Sequence, residues 1–294
     1  MTKQKIFSVH TGKASIDCSG GCEYQIKVHQ TWAQEPNGYD RTAEVFVPPT
    51  QTKLPVVIDL HGSGGHADYH RMGHILRNSI IVAAQGYENQ WNIVKERTKA
   101  PDVDFMVELI ARIGEIEQAD MEDVTVIGTS NGAGLITRML IEIPNPRPFK
   151  RVMPMVSHLV ENEYHDNSFW TPSDQNNLGD NVYDQVIVPD SPGPEILYFH
   201  GTGDKTVPYD GGHSLGVTFL GAQRSTFLYA QAFGYNGVQM ADQEGVEVSD
   251  GIFKYEYAAD SRVVHYKMVD MPHNVFDPLY RAWMEAMLIE TIEG

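Results

Sequence analysis

Two stretches of the chain carry the spacing Gly-x-Ser-x-Gly: Gly128-Thr129-Ser130-Asn131-Gly132 and Gly212-His213-Ser214-Leu215-Gly216. The spacing suits a sharp strand-to-helix turn that lifts a serine hydroxyl clear of its surroundings, with glycines where backbone packs on backbone. A hydroxyl so presented becomes an acyl-transfer nucleophile once a base and an oriented acid activate it. Context separates the two matches. Ser130 follows the apolar run Val124-Thr125-Val126-Ile127 and precedes a helical pattern opening at Ala133-Gly134-Leu135-Ile136. Ser214 follows Val207-Pro208-Tyr209-Asp210-Gly211, which is no strand, and too little chain remains behind it for the other groups. Ser130 is the expected nucleophile, and Ser214 is read as part of a glycine-rich loop before a helix.

Nucleophiles on such a turn are followed along the chain by an acid and then a histidine. After Ser130, an apolar run ends in His200-Gly201-Thr202-Gly203-Asp204-Lys205-Thr206-Val207-Pro208-Tyr209. Asp204, on a glycine-rich turn past a strand, is placed to hold an imidazole, although turn aspartates also cap their own backbone. Asp210 is the weaker rival. Of the two late histidines, His265 lies inside the strand-like run Val263-Val264-His265-Tyr266-Lys267-Met268, whereas His273 sits in the loop Asp270-Met271-Pro272-His273-Asn274. A loop histidine can swing onto a serine, so His273 is the expected base. An oxyanion needs N–H donors. The amide of Asn131 should supply one, and that of Ser63, in Leu60-His61-Gly62-Ser63-Gly64-Gly65, the other.

These groups need a scaffold. Apolar, β-branched runs at 24–29, 43–47, 56–60, 80–84, 124–128, 152–156, 196–199 and 263–269 read as eight strands. Helical spacing at 103–116, 133–143, 224–233 and 278–292 alternates with them. That rhythm predicts an α/β architecture: one domain, residues 1–294, with a mostly parallel sheet and helices on both faces. Residues 157–194 break it. They are polar and proline-punctuated, sit after the sixth strand, and read as a cap-like insertion.

Taken together, Leu60-His61-Gly62, Gly128-Thr129-Ser130-Asn131-Gly132 and the stretch His200 to Tyr209 resemble the feruloyl esterase and polyhydroxybutyrate-depolymerase-like group of α/β hydrolases. Gln90-Trp91-Asn92 and Val103-Asp104-Phe105 also fit, so the likeness runs over about residues 40–275. The chain departs from the group at Ala133, where a second glycine is common, and at Met271-Pro272-His273-Asn274-Val275, where Gly-Gly-His is usual. The resemblance implies an α/β-hydrolase fold and a serine carboxylic-ester hydrolase acting on short acyl, aryl or polyester substrates. A peptidase of the same fold and a non-catalytic hydrolase-fold binding protein are the rivals. All three triad residues are present, which a binding protein typically lacks.

Acidic residues outnumber basic ones 39 to 22, a net charge of −17, which disfavours phosphate backbones and anionic membranes as partners. The surplus reads either as an ordinary acidic enzyme or as adaptation to salt. No apolar run is long enough for a membrane span, and the opening residues 1–12 contain no apolar leader core. The compartment stays open between cytoplasm and secretion. Cys18 and Cys22 flank Ser19-Gly20-Gly21, a loop able to close into a small disulfide or to leave two thiols. His66, His70 and His74 recur every four residues, a spacing that can hold zinc. They lack the H-E-x-x-H glutamate, and zinc would duplicate the serine chemistry, so neither metal nor cofactor is expected. Trp91 and Trp170 are candidates to stack on an aryl or sugar group, with plain packing as the alternative.

Overall fold

The computed structural model describes residues 5–6, 15–258 and 261–294. Most of the opening stretch 1–12 therefore lies outside the described residues. Strands β1 (Lys5–Ile6), β2 (Cys22–Trp32), β3 (Glu35–Val47), β4 (Leu54–Leu60), β5 (Ile80–Ala84), β6 (Ala119–Thr129) and β7 (Arg151–Met155) come first. Then β8 (Tyr164–His165), β9 (Ser168–Pro172) and β10 (Tyr183–Ile187) lie within the insertion. They are followed by β11 (Glu195–Gly201), β12 (Gly212–Ser214), β13 (Val217–Phe219), β14 (Val246–Ser249), β15 (Ile252–Ala258) and β16 (Arg262–Met268). The longer helices are α2 (Asp102–Ile113), α3 (Asn131–Glu142), α4 (Ala222–Ala232) and α5 (Arg281–Ile292), with a single turn, α1 (His70–Gly73), before them.

Eleven of these strands form one sheet in the order β1-β2-β3-β5-β4-β6-β7-β11-β16-β15-β14. The central run from β5 to β16 is parallel throughout. Antiparallel pairs flank it, β2–β3–β5 on one side and β16–β15–β14 on the other. Alternation along the strands explains the layering, because successive side chains point to opposite faces. Val56, Ile58 and Leu60 of β4 join a core with Phe105 of α2, Met139 of α3 and Phe227 of α4. Val57 points the other way, into a second core with Met72, Met284 and Leu288. Helices thus cover both faces, as the sequence pattern predicts.

All eight expected strands are present in this sheet, and three more extend it. The hairpin β14–β15 was not expected because its residues alternate with charged ones and carry no continuous apolar run. The insertion is neither formless nor detached. It forms the antiparallel sheet β10-β9-β8 and is bound to the chain after β5: Asn181 donates through its side chain to the Ile93 carbonyl (2.7 Å), and Tyr183 Oη does so at 2.9 Å. The Ser214 segment is a hairpin, β12–β13, rather than a plain loop. Leu215 and Gly216 at its tip both have positive φ (51° and 79°), the geometry of a tight two-residue turn. Cys18 and Cys22 are joined by a disulfide.

Candidate active site

Ser130 stands between β6 and α3 with φ 54° and ψ −118°, a conformation that a non-glycine residue adopts only where the surroundings enforce it. The enforcing contacts are backbone to backbone. A Cβ on Gly128 would meet the Gly132 carbonyl at 2.5 Å, and one on Gly132 would meet that of Leu60 at 2.4 Å. Both glycines are therefore obligatory, and together they seat the start of α3 against the end of β4.

The three groups named from the sequence meet here. His273 Nε2 lies 2.8 Å from Ser130 Oγ, and His273 Nδ1 lies 2.7 Å from Asp204 Oδ2. The ring can donate from Nδ1 to the carboxylate and accept the serine proton at Nε2. Loop packing brings the distant segments together. A Cβ on Gly201 or Gly203 would strike the carbonyl of Met271 or Asp270, at 2.0 and 2.5 Å, so the acid turn lies flat on the histidine loop. Thr202 Oγ1 accepts the Asp270 amide at 2.8 Å and closes the joint.

Asp204 is held as an anion. Its side chain is fully buried, which pushes the carboxyl pKa up. Hydrogen bonds from His200 and His273, with the Val207 amide, outweigh burial and hold it well below the usual carboxylate range. Oδ1 accepts the amides of Thr206 (2.8 Å) and Val207 (2.9 Å). Two of the rivals, His265 and Ser214, are engaged elsewhere. His265 is buried in β16 with Nε2 2.8 Å from Tyr209 Oη, and burial pushes its pKa down to about 3. Ser214 Oγ donates to the Thr206 carbonyl (2.7 Å), so it ties the hairpin to the acid turn.

Ser63 and Asn131 line the same cleft as Ser130 and His273. A Cβ on Gly62 would approach Ser130 Cβ to 3.4 Å, so the 61–65 loop runs directly beside Ser130. His61 fixes that loop. Its Nε2 accepts the Gly86 amide (3.0 Å), which leaves the proton on Nδ1 to donate to the Gly62 carbonyl (2.7 Å).

The expected stacking role of Trp91 is corrected by its position. The side chain is 0% exposed and does not line the cleft. Its indole N–H donates to the His61 carbonyl (2.9 Å), and its backbone pairs twice with the Asn131 side chain (2.7 and 3.0 Å). It braces the 61–65 loop against the start of α3. Trp170 also lies off the cleft, stacked on His165 at 4.4 Å. His70, the first residue of α1, stacks at 5.7 Å on His74 just past its end, and no metal-binding group of three or more His, Cys, Asp or Glu occurs among the described residues.

The cleft encloses about 610 Å³. Val160, Val207, Leu215, Val217 and Phe219 contribute apolar lining, and Gln90, Lys95 and Glu96 contribute polar lining. Glu163 and His158, from the insertion, also reach it. Sequence reasoning passed over both, and over His200, because only burial distinguishes them from ordinary loop and strand residues. The H-G-x-G-D run, with His200 four residues before Asp204, was the one available signal.

No protein family matches the sequence, and no curated protein does. Solved structures do resemble the fold. An S-formylglutathione hydrolase from Agrobacterium tumefaciens aligns over 93% of this chain and 95% of its own, at 17% identity and a TM-score of 0.50. Esterase 2 of Thermogutta terrifontis, phosphorylated by paraoxon, aligns over 90% and 92%, at 13% identity and 0.53. An acylaminoacyl peptidase of Pyrococcus horikoshii covers 92% of this chain but 41% of its own length, at 15% and 0.53. The fold is the α/β-hydrolase fold.

Proposed function

We propose that the chain is a serine hydrolase that cleaves carboxylic esters, acting as one domain over residues 1–294. The observation that carries the proposal is the unbroken hydrogen-bond series from Ser130 Oγ through His273 to the buried Asp204, opening on a cleft. Ser130 Oγ attacks the ester carbonyl carbon as His273 Nε2 takes its proton. The amides of Ser63 and Asn131 hold the oxyanion. The tetrahedral intermediate collapses, and the imidazolium gives its proton to the departing alkoxide. Water then attacks the acyl-enzyme by the same route, freeing the acid and restoring Ser130. Asp204 keeps the ring in the Nδ1–H tautomer and stabilises the imidazolium.

Short acyl, aryl (feruloyl-like) and polyester substrates are the classes we favour. The likeness in motifs to the feruloyl esterase and depolymerase group supports this, as does a cleft of about 610 Å³ lined by both apolar and polar side chains. The insertion 157–194 acts as a cap whose first residues, Ser157, His158, Val160 and Glu163, form part of the cleft wall. The test is a panel of esters, from short p-nitrophenyl acyls to methyl ferulate, polyesters and chains of about twelve carbons, run with wild type and Ser130→Ala. Hydrolysis confined to wild type and fastest on short or aryl esters supports the proposal. Fastest turnover of the long chains would make the cap a lid over a lipase-like groove. Cleavage of acylated peptides but of no ester would favour the peptidase reading.

A further inference from the structure

We infer that His200 is a positioning residue for this hydrolysis: its Nε2–H holds the Asp204 carboxylate in the orientation that His273 requires. The inference rests on the triad reading above and adds a fourth side chain to it.

Four observations carry it. His200 Nε2 lies 2.9 Å from the Val207 carbonyl and 3.2 Å from Asp204 Oδ2. Both neighbours accept, so Nε2 carries a proton, which bonds the Val207 carbonyl and faces Asp204 Oδ2 at the longer distance. Oδ2 is also the oxygen that His273 Nδ1 approaches at 2.7 Å. Oδ1 therefore accepts the Thr206 and Val207 amides, and Oδ2 accepts from the His273 ring with the His200 Nε2–H beside it at 3.2 Å. A carboxylate with its acceptor sites so filled cannot rotate without breaking a charge-assisted bond. Finally, the ring has no freedom of its own. His200 is 0% exposed on β11, and the Val207 carbonyl belongs to the acid turn itself.

The remaining groups around the ring leave this task to His200. His158 lies against it at 4.8 Å between ring centres, and Tyr209 at 5.9 Å. Beyond Tyr209, its hydroxyl meets His265 Nε2 at 2.8 Å. Burial pushes His158 and His265 well down, so neither brings charge to the cluster. Among the described residues, His200 and His273 are the side chains whose ring nitrogens stand within 3.2 Å of the Asp204 carboxylate.

A merely structural histidine would affect stability and leave the reaction's profile alone, and this difference is measurable. We would compare His200→Leu, His200→Gln and His200→Asn with wild type and Ser130→Ala, recording kcat, KM, the pH dependence of kcat/KM on p-nitrophenyl acetate, and Tm. In His200→Leu the carboxylate loses one donor and bears more uncompensated charge towards His273, which favours the imidazolium. The expected result is a fall in kcat of roughly 10- to 100-fold at unchanged KM, with the acid limb moved to higher pH by about half a unit or more. Gln places an N–H near the position of Nε2 and should recover most of kcat and the wild-type limb. Asn is too short to reach Asp204 and should not. If the Leu variant does not fold, the contrast between Gln and Asn decides. Wild-type kcat and limb in the Leu or Asn variant, or a Gln variant that regains Tm without kcat, would overturn the inference. A wild type no faster than Ser130→Ala would instead remove the triad reading beneath it.

Discussion

The two Gly-x-Ser-x-Gly matches differ in what their glycines are for. Around Ser130 they let a strand, a helix and the 61–65 loop touch through backbone, while around Ser214 they build the tip of a hairpin. Ser130→Ala should therefore lower kcat by several orders of magnitude, and Ser214→Ala should change it little. Steady-state kinetics of the two variants decide this, and the opposite pattern would sink the assignment. His273→Ala should be nearly as damaging as Ser130→Ala, with Asp204→Asn damaging but less so. Loss of activity in a folded His265→Ala, with activity kept in His273→Ala, would move the base into β16. Trp91 now takes a different prediction from the one its residue type suggests. Trp91→Phe removes the indole N–H from the His61 carbonyl, so kcat should fall about 3- to 30-fold while the ranking of substrates stays fixed. A change in aryl selectivity would place the ring against substrate after all.

At the scale of elements, the sequence shows what periodicity and punctuation can show. The eight core strands, the four long helices and the sharp turn at Ser130 each carry a local pattern, and each is present. The sheet's β14–β15 hairpin, the insertion's own sheet and the β12–β13 hairpin were not legible. Their strands are short or interleaved with charge, and tertiary contact rather than local pattern holds them. Glu163 illustrates the limit. In sequence it is one acid among many, yet it is 1% exposed, and its carboxyl joins the insertion to α3. Thr137 Oγ1 lies 2.6 Å from the Gly134 carbonyl and 2.7 Å from Glu163 Oε1. One hydroxyl proton cannot serve both acceptors, so the cluster is satisfied when Glu163 itself carries a proton. Burial pushes its pKa up to about 7, against an ordinary 4.5. The unfolded chain releases that proton at lower pH than the native one, so stability is lost as pH rises from the ordinary value to the native one. Glu163→Gln, whose amide can donate to Thr137 and accept from Val160, should stabilise the protein above pH 7 by roughly 1–3 kcal/mol and give no gain below pH 4.5. Denaturant melts of both proteins at acid and alkaline pH test this, and an equal effect at both would refute the protonated form.

For the whole molecule, the dominant quantity is charge. A balance of −17 on 294 residues sets carboxylates against one another across the surface, and monovalent salt screens that repulsion. Tm should rise between low and molar salt, and a flat or falling Tm would leave the acidity as composition without a stabilising response. The fold was legible in advance, and so was the meeting of Ser130, Asp204 and His273, because each sits on a specific backbone feature: an elbow after β6, a glycine turn after β11, and a loop after β16. The cleft's walls were not, since they come from segments whose meeting only the folded chain reveals. The central claim is that Ser130, activated by His273 and Asp204, is a nucleophile. Its most direct test is labelling of the folded protein with a fluorophosphonate, followed by peptide mass mapping. A single adduct on Ser130, abolished in Ser130→Ala and strongly slowed in His273→Ala, is the predicted result. An unlabelled native protein, or an adduct on Ser214, would contradict the account.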